Sequence, residues 1–430
     1  MKPRLTMLLG AGAGLDLGLP NPDLRMPSTE DLTNRVVGIR TTAVIRGTPF
    51  ITGEGGPKEK ALRLGTPVRV GRLLHRALKA EYENVNFELM VHALEELQPL
   101  ADSLRYVEMA DNYRPVESAF VQLQDRYKFL CDPAVIQEAR RAAMLAICGE
   151  VNNRTVQCGG PEKAAHKLSE FFSRLAENFS LAVFTLNYDE LIDHTTPSWF
   201  DGFEPDSEVG TQWSPRAFNA TEFVLRSHSE PHLLVHLHGS VRFGYSLGAQ
   251  GISKYHGAQD AFDSLQRTSV SDKKVSGQLL SAGPIISGLN KVAKLIQQPS
   301  PFGYYYRALI DELLRTPRLL IVGYGGMDEH INTWVHEFIR HHGPNRRVSW
   351  ISKLSGRDVG KRTPERNFMS MLAGGPPNWK EYMAYEDPDK PVHFQDHGPY
   401  LRIISSGFPL KDQNCLGQIL EFLEPTSPAG

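Results

Sequence analysis

The chain has 430 residues, which at about 150 residues per domain gives two or three domains and enough length to bury a full core. Hydrophobic residues at 41% and charged residues at 22% are the ordinary globular mixture, which excludes a disordered, collagen-like or coiled-coil chain. Lys and Arg number 47 against 49 Asp and Glu, so a net charge of −2 points to neither a nucleic-acid nor a membrane partner.

Four cysteines, Cys131, Cys148, Cys158 and Cys415, form no Cys-x-x-Cys pair. That excludes a zinc ribbon, a thioredoxin motif and a dense disulfide framework, and it fits a reducing cytoplasm. No stretch approaches the ~18 uninterrupted apolar residues of a spanning helix.

In chain order, Lys2 and Arg4 precede the apolar run Leu5–Leu15, which holds Ala11-Gly12-Ala13. This reads either as a signal peptide or as a buried strand, Leu5 to Leu9, entering the glycine turn Gly10-Ala11-Gly12-Ala13-Gly14. Three distant segments need that turn, which favours the strand. Ser28-Thr29-Glu30-Asp31 has the form of a capping box and starts a helix. Residues 40–70, rich in Gly, Pro and Thr, read as an irregular excursion. The stripe Val85, Leu89, His92 or Ala93, Leu97 and Leu100 predicts helix from Leu73 to Val107 with a break or kink at Pro99. Ala139–Cys148 and Ala165–Phe179 are also helical, so residues 33–179 form a helical insertion domain.

The pattern then changes to short apolar runs typical of strands buried on both faces: Ser180–Thr185, Leu233–His238, Leu319–Val322, Val348–Ile351 and Tyr400–Ile404. A helix follows at Leu416–Leu423. Residues 243–300, with many Gly, Ser, Lys and Gln, read as a mobile insertion that could close over the site. Strands alternating with helices predict an α/β fold, a doubly wound and mostly parallel sheet, carried by residues 1–32 and 180–430.

Four segments stand at the ends of four of these strands, where an open α/β sheet binds ligands. In the first, Gly10, Ala11, Gly12 and Ala13 could offer backbone N–H groups to a phosphate. The hydride-transfer fingerprint fails there, because Leu15 occupies its third glycine position. In the second, Thr185-Leu186-Asn187-Tyr188-Asp189, Asn187 and Asp189 can hold a ribose hydroxyl and a water. Asp189 can also cap a helix continuing through Leu191 and Ile192. In the third, alternation puts His236 and His238 on one strand face, with His238 at the tip as the candidate general base. His-x-His could also open a metal site, but no third ligand has suitable spacing, so no metal is expected. In the fourth, Gly323-Tyr324-Gly325 leads into a helix striped by Ile331, Trp334, Val335, Phe338 and Ile339.

Together these segments, in this order, resemble the NAD-binding landmarks of the sirtuin family: GAG, T-x-N-x-D, H-G and, in place of the family's usual G-T-S, G-Y-G-G. The resemblance covers about residues 4–32 and 180–352. A narrower likeness is to the sirtuin-like NADases of bacterial anti-phage defence. It rests on Gly18-Leu19-Pro20, Pro27-Ser28-Thr29, Asp31-Leu32, Asn86-Phe87-Glu88 and Gly323-Tyr324-Gly325 with Asp328-Glu329-His330-Ile331-Asn332. The resemblance implies a Rossmann-like sheet and NAD as substrate. It makes Asn187 and His238 the catalytic pair, and Gly10, Ala11, Gly12, Ala13, Thr185, Asp189, Gly323, Tyr324 and Gly325 the cofactor-binding residues. Some members of that branch assemble into large oligomers and are encoded beside a HerA-type ATPase or a short Argonaute protein, which implies such a partner here. The wide apolar stripes of the helical block predict that it packs against neighbouring protomers of a homo-oligomer or against that partner.

Sirtuin deacylases carry a zinc module with two Cys-x-x-Cys pairs, which this chain lacks, so NAD hydrolysis is expected ahead of protein deacylation. The family's serine after the glycine turn is Gly14 here, and its late asparagine is absent from Val348–Ser352. These departures leave open a non-catalytic subunit that binds NAD or ADP-ribose.

Overall fold

Leu5, Met7, Leu8 and Leu9 are buried because the strand they form, β1 (Arg4–Leu9), runs through the interior of a seven-stranded sheet. The strand reading of this segment therefore holds. In the computed structural model the described residues are 2–14, 25–40, 69–107, 133–205, 208–209, 212–245, 252–267, 285–287, 291–292, 299–352, 364–374, 394–404 and 413–424. The other strands are β2 (Ser180–Thr185), β3 (His232–His236), β4 (Arg318–Val322), β5 (Arg347–Ile351), β6 (Phe394–His397) and β7 (Leu401–Ile404).

The sheet order is β3-β2-β1-β4-β5-β7-β6, and only the edge strand β6 is antiparallel to its neighbour. The fold is thus α/β, doubly wound and Rossmann-like. The chain builds outward from β1 to β3, then returns to lay β4 on the other side of β1. That reversal is the topological switch point, the place beyond the strands' carboxyl ends where open α/β sheets bind their ligands. Register levels those ends: Leu9 pairs with both Thr185 and Val322, Thr185 with His236, and Val322 with Ile351. Gly10, Leu186, Leu237 and Gly323 therefore leave the sheet side by side.

Helices are α1 (Thr29–Val37), α2 (Val70–Leu78), α3 (Phe87–Val107), α4 (Pro133–Gln157), α5 (Pro161–Asn178), α6 (Ala220–Arg226), α7 (Ala258–Arg267), α8 (Tyr304–Arg315), α9 (Glu329–His342), α10 (Pro364–Ala373) and α11 (Gln413–Leu423). On one sheet face, Met7, Leu181, Val183, Leu320 and Ile351 pack with Phe171, Phe172 and Leu175 of α5 and with Leu416, Ile419 and Leu423 of α11. Each such buried side chain contributes about 1.5–3 kcal/mol. On the other face, Trp350 of β5 meets Phe368 of α10 edge-on at 5.7 Å, while α9 packs between α8 and α10. The stripe expected for α9 buries Ile331, Val335 and Phe338 and leaves Trp334 and Ile339 half-buried.

The chain divides into two compact units. The first comprises Met1–Met26, Val151–Ala261 and Leu295–Gly430, and holds the whole sheet. The second comprises Pro27–Glu150 and Phe262–Lys294. Within the second, the capping box at α1 is real: Asp31 N donates to Ser28 Oγ at 3.2 Å, and Ser28 N to Asp31 Oδ2 at 2.9 Å. Thr33 Oγ1 of α1 accepts from Phe87 N at 3.0 Å and so ties down the start of α3.

Several elements differ from expectation. The stretch 73–107 is two helices, α2 and α3, and α3 runs through Pro99 without ending there, since one proline removes only one helical hydrogen bond. α4 is longer than predicted at both ends. No helix follows Asp189; only a 3₁₀ turn forms at Ile192–His194, because the Asp189 carboxylate accepts from Leu191 N at 3.1 Å and closes a local turn. Of 243–300, the described parts include two short antiparallel strands, Phe243–Tyr245 and Ile252–Lys254, and α7. The rest of that insertion and most of the 40–70 excursion lie outside the described residues. Among the described residues no helix is long and apolar enough to cross a membrane.

Candidate active site

The turns after β1 and β4 are packed backbone to backbone. Gly10 N donates to Val322 O at 2.9 Å, Gly12 N to Gly323 O at 3.0 Å, and Ala13 N back to Gly10 O at 2.9 Å. A Cβ on Gly12 would lie 2.8 Å from Gly323 Cα, and one on Gly323 would lie 2.2 Å from Ala13 N. Gly323 also has φ +63°, a left-handed conformation that side chains disfavour. Glycine is needed here so that two turns can touch. Three of the amides expected to receive a phosphate are already donating within this joint.

Tyr324 is buried, and its side chain organises the start of α9. Its hydroxyl lies 2.8 Å from Asn332 Oδ1 and accepts from Asp328 N at 3.2 Å, while Asn332 Nδ2 donates to Gly326 O at 2.8 Å. Burial, with the Asp328 charge nearby, pushes the phenol far above its ordinary range, so it stays protonated. Its main-chain carbonyl accepts from Trp350 Nε1 at 3.1 Å. The tyrosine thus braces the β4 turn from behind.

The turns after β2 and β3 carry side-chain chemistry. The fully buried Thr185 accepts from Asn187 N through its hydroxyl at 3.1 Å, which fixes the first step out of β2. Asn187 Oδ1 is buried and has no hydrogen-bond partner among the described residues. An unsatisfied buried acceptor costs about 1–3 kcal/mol, a cost that a ligand's donor would relieve. Asp189, two residues on, is also buried. Burial raises its carboxyl to about 6, against the opposing Leu191 N–H and His236, with the Asp193 charge adding to the rise.

His238 does not end a strand as predicted. β3 stops at His236: Leu237 N still reaches Thr185 O at 2.9 Å, but Gly239 N then folds back onto His236 O at 3.0 Å. The two histidines therefore part company. His238 is buried in the turn, with Nε2 4.0 Å from Asp328 Oδ1 and its ring centroid 5.8 Å from that of His330. His236 points into a buried ionic cluster, where its Nε2 lies 3.0 Å from Asp193 Oδ2.

That cluster was not anticipated. Lys254 Nζ bonds both Asp193 and Asp201, the latter at 2.6 Å, and Arg242 Nη1 lies 3.4 Å from Asp193. Burial pushes the Asp193 carboxyl up, but Lys254, His236 and Arg242 together hold it well below the usual carboxylate range. Tyr305 donates to the Asp201 carbonyl at 2.7 Å and completes the wall. Nothing in the sequence marks Lys254, since a lysine in a Gly- and Ser-rich stretch reads as solvent-facing.

The structure thus brings Gly10–Ala13, Thr185, Asn187, Asp189, His238 and Gly323–Gly325 to one edge of one sheet. Asp328 and His330 join them, and sequence reasoning had given those two no chemical role.

Residues 181–369 match the family model described as a SIR2-like domain, which supports a sirtuin-like family and a function related to NAD. The matched stretch begins in β2 and takes in Asn187, His238 and the β4 turn, leaving Gly10–Gly14 outside it. No curated protein matches the chain.

Proposed function

We propose that the chain is an NAD glycohydrolase releasing nicotinamide and ADP-ribose. The observation that carries this reading is Asn187 Oδ1, a buried acceptor lacking a partner among the described residues at the switch point of a SIR2-like sheet. In the reaction, the bond between the ribose C1′ and the nicotinamide nitrogen breaks, and nicotinamide leaves neutral with the bonding electron pair. No general acid is needed, because the leaving group starts out cationic. Asn187 Oδ1 accepts from a ribose hydroxyl or from the attacking water and orients it. His238 takes the proton as the water oxygen bonds to C1′. Thr185 and Asp189 fix the loop that carries Asn187.

The motif resemblance extends this reading to a latent enzyme triggered in anti-phage defence, assembling through residues 33–179 with an ATPase or Argonaute partner. A second reading, a subunit that binds NAD or ADP-ribose without turnover, is favoured by the three glycine-turn amides already donating to backbone.

Nicotinamide release by the purified protein and by Asn187→Ala, with calorimetric titration of NAD on the same samples, tests the proposal. Release that falls about 10²–10³-fold in the variant supports it. Binding without release leaves the second reading and the latent enzyme, which the same assay with the ATPase or Argonaute partner added separates; absence of both binding and release overturns the NAD assignment.

A further inference from the structure

We propose that His238, Asp328 and His330 form a three-ligand site for a divalent transition-metal ion of the zinc class, and that the bound ion silences His238 as a base. The silencing rests on the glycohydrolase reading; the metal site does not.

The sequence offers His236-Leu237-His238 as a ligand pair, yet the fold gives His236 to Asp193 and leaves His238 with the loop after β4. There, one donor atom from each of His238, Asp328 and His330 lies within 4.8 Å of the other two. Donors 2.0–2.2 Å from a tetrahedral zinc stand about 3.3–3.6 Å apart, so small side-chain rotations of roughly an ångström would close the set. Two imidazoles and a carboxylate suit zinc and its neighbours, whereas magnesium and calcium take oxygen ligands.

The backbone that carries the ligands is held from outside. Tyr306 donates to the His330 carbonyl at 2.6 Å, with its ring 5.8 Å from the imidazole. The Tyr324 hydroxyl fixes Asp328 N at 3.2 Å. Asp328 is the N-cap of α9, but its carboxylate makes no capping bond to the helix. Outer contacts of this kind orient ligands around an ion. His238 is buried while Asp328 and His330 are half-buried, which gives the ion a path in and a coordination position facing out. A coordinated His238 nitrogen has no lone pair left to accept a proton from water, so occupancy and general-base catalysis exclude each other.

The test uses the full chain, freed of metal by a chelator and titrated with Co²⁺ alone while visible ligand-field absorption is read, followed by competition with Zn²⁺. His330→Gln and Asp328→Asn are titrated in parallel after melting curves confirm that each is folded; having two variants keeps the test alive if one fails to fold. The expected result is one equivalent of cobalt displaced by zinc, bound about 10-fold or more weakly by each variant. Nicotinamide release by the wild type should fall at least about 10-fold on adding one equivalent of Zn²⁺, and His330→Gln should resist the same addition. Absence of ligand-field bands, or equal cobalt affinity in all three proteins, overturns the site. Zinc that binds but leaves or raises the rate overturns the silencing. The cobalt titration contains no NAD, so a protein that never hydrolyses NAD would refute the glycohydrolase reading while the titration still shows whether the three side chains hold a metal.

Discussion

After β1 and β4 the sheet edge is backbone against backbone, whereas after β2 and β3 it is buried charge and Asn187 Oδ1, unpaired among the described residues. The first side depends on the absence of atoms: Gly10, Gly12 and Gly323 meet where no Cβ fits. The second depends on partners: Lys254, Arg242 and His236 around Asp193, with Asp201 beyond. Steric joints of the first kind fail on gaining a carbon, while electrostatic clusters of the second kind fail on losing a charge.

Gly323→Ala should be the most damaging single change. Its new methyl would clash with the Ala13 amide at 2.2 Å on a backbone already at φ +63°. A loss of more than about 4 kcal/mol is expected in denaturant unfolding, and a change under about 1 kcal/mol would show that the two turns can separate.

On the charged side, Lys254→Met should cost about 3–5 kcal/mol, because it leaves Asp193 and Asp201 buried with less compensation. A thermal melt at neutral pH reads this directly. A variant as stable as the wild type would mean that the cluster is redundant with Arg242.

His238→Ala should slow nicotinamide release about 10²–10⁴-fold, measured at a temperature where the melting curve shows the variant folded, because removing this buried side chain also costs packing. Full turnover in the variant would remove His238 from the mechanism.

The smallest effect is read through pH. Asp189 has its carboxyl raised from 3.8 to about 6 by folding, so the folded chain holds this proton more tightly than the unfolded chain. Its stabilising contribution is therefore full below about pH 4 and is lost as pH rises through about 6. Asp189→Asn keeps an acceptor for Leu191 N and never ionises. It should be more stable than the wild type by about 2–3 kcal/mol above neutral pH, a gap that closes toward pH 4. Parallel unfolding curves across that range check the sign, and a constant offset would place the cause outside the carboxyl.

The sheet was legible in the sequence because its strands are buried on both faces. Runs such as Leu181-Ala182-Val183-Phe184 and Leu319-Leu320-Ile321-Val322 have no polar side to confuse them. The glycine turns, Thr185, Asn187 and His238 were legible too, since each sits within a few residues of a strand end. A break at Pro99 does not occur, since the helix continues through it. Asp189 misled as a helix cap, because the same carboxylate can close a tighter turn. Lys254 and Asp193 gave no signal at all: an ion pair between positions far apart in the chain has no period and no motif.

Hydrophobic period and glycine placement alone thus specify a doubly wound α/β chain and mark which strand ends carry the candidate site. Local pattern suffices for that, since period and turn chemistry act over a few residues. It took the folded arrangement to lock the glycine turns onto each other, to draw His236 into a buried ionic cluster, and to set His238 beside Asp328 and His330. Those contacts depend on strand order and register, which bring distant residues to within a few ångströms.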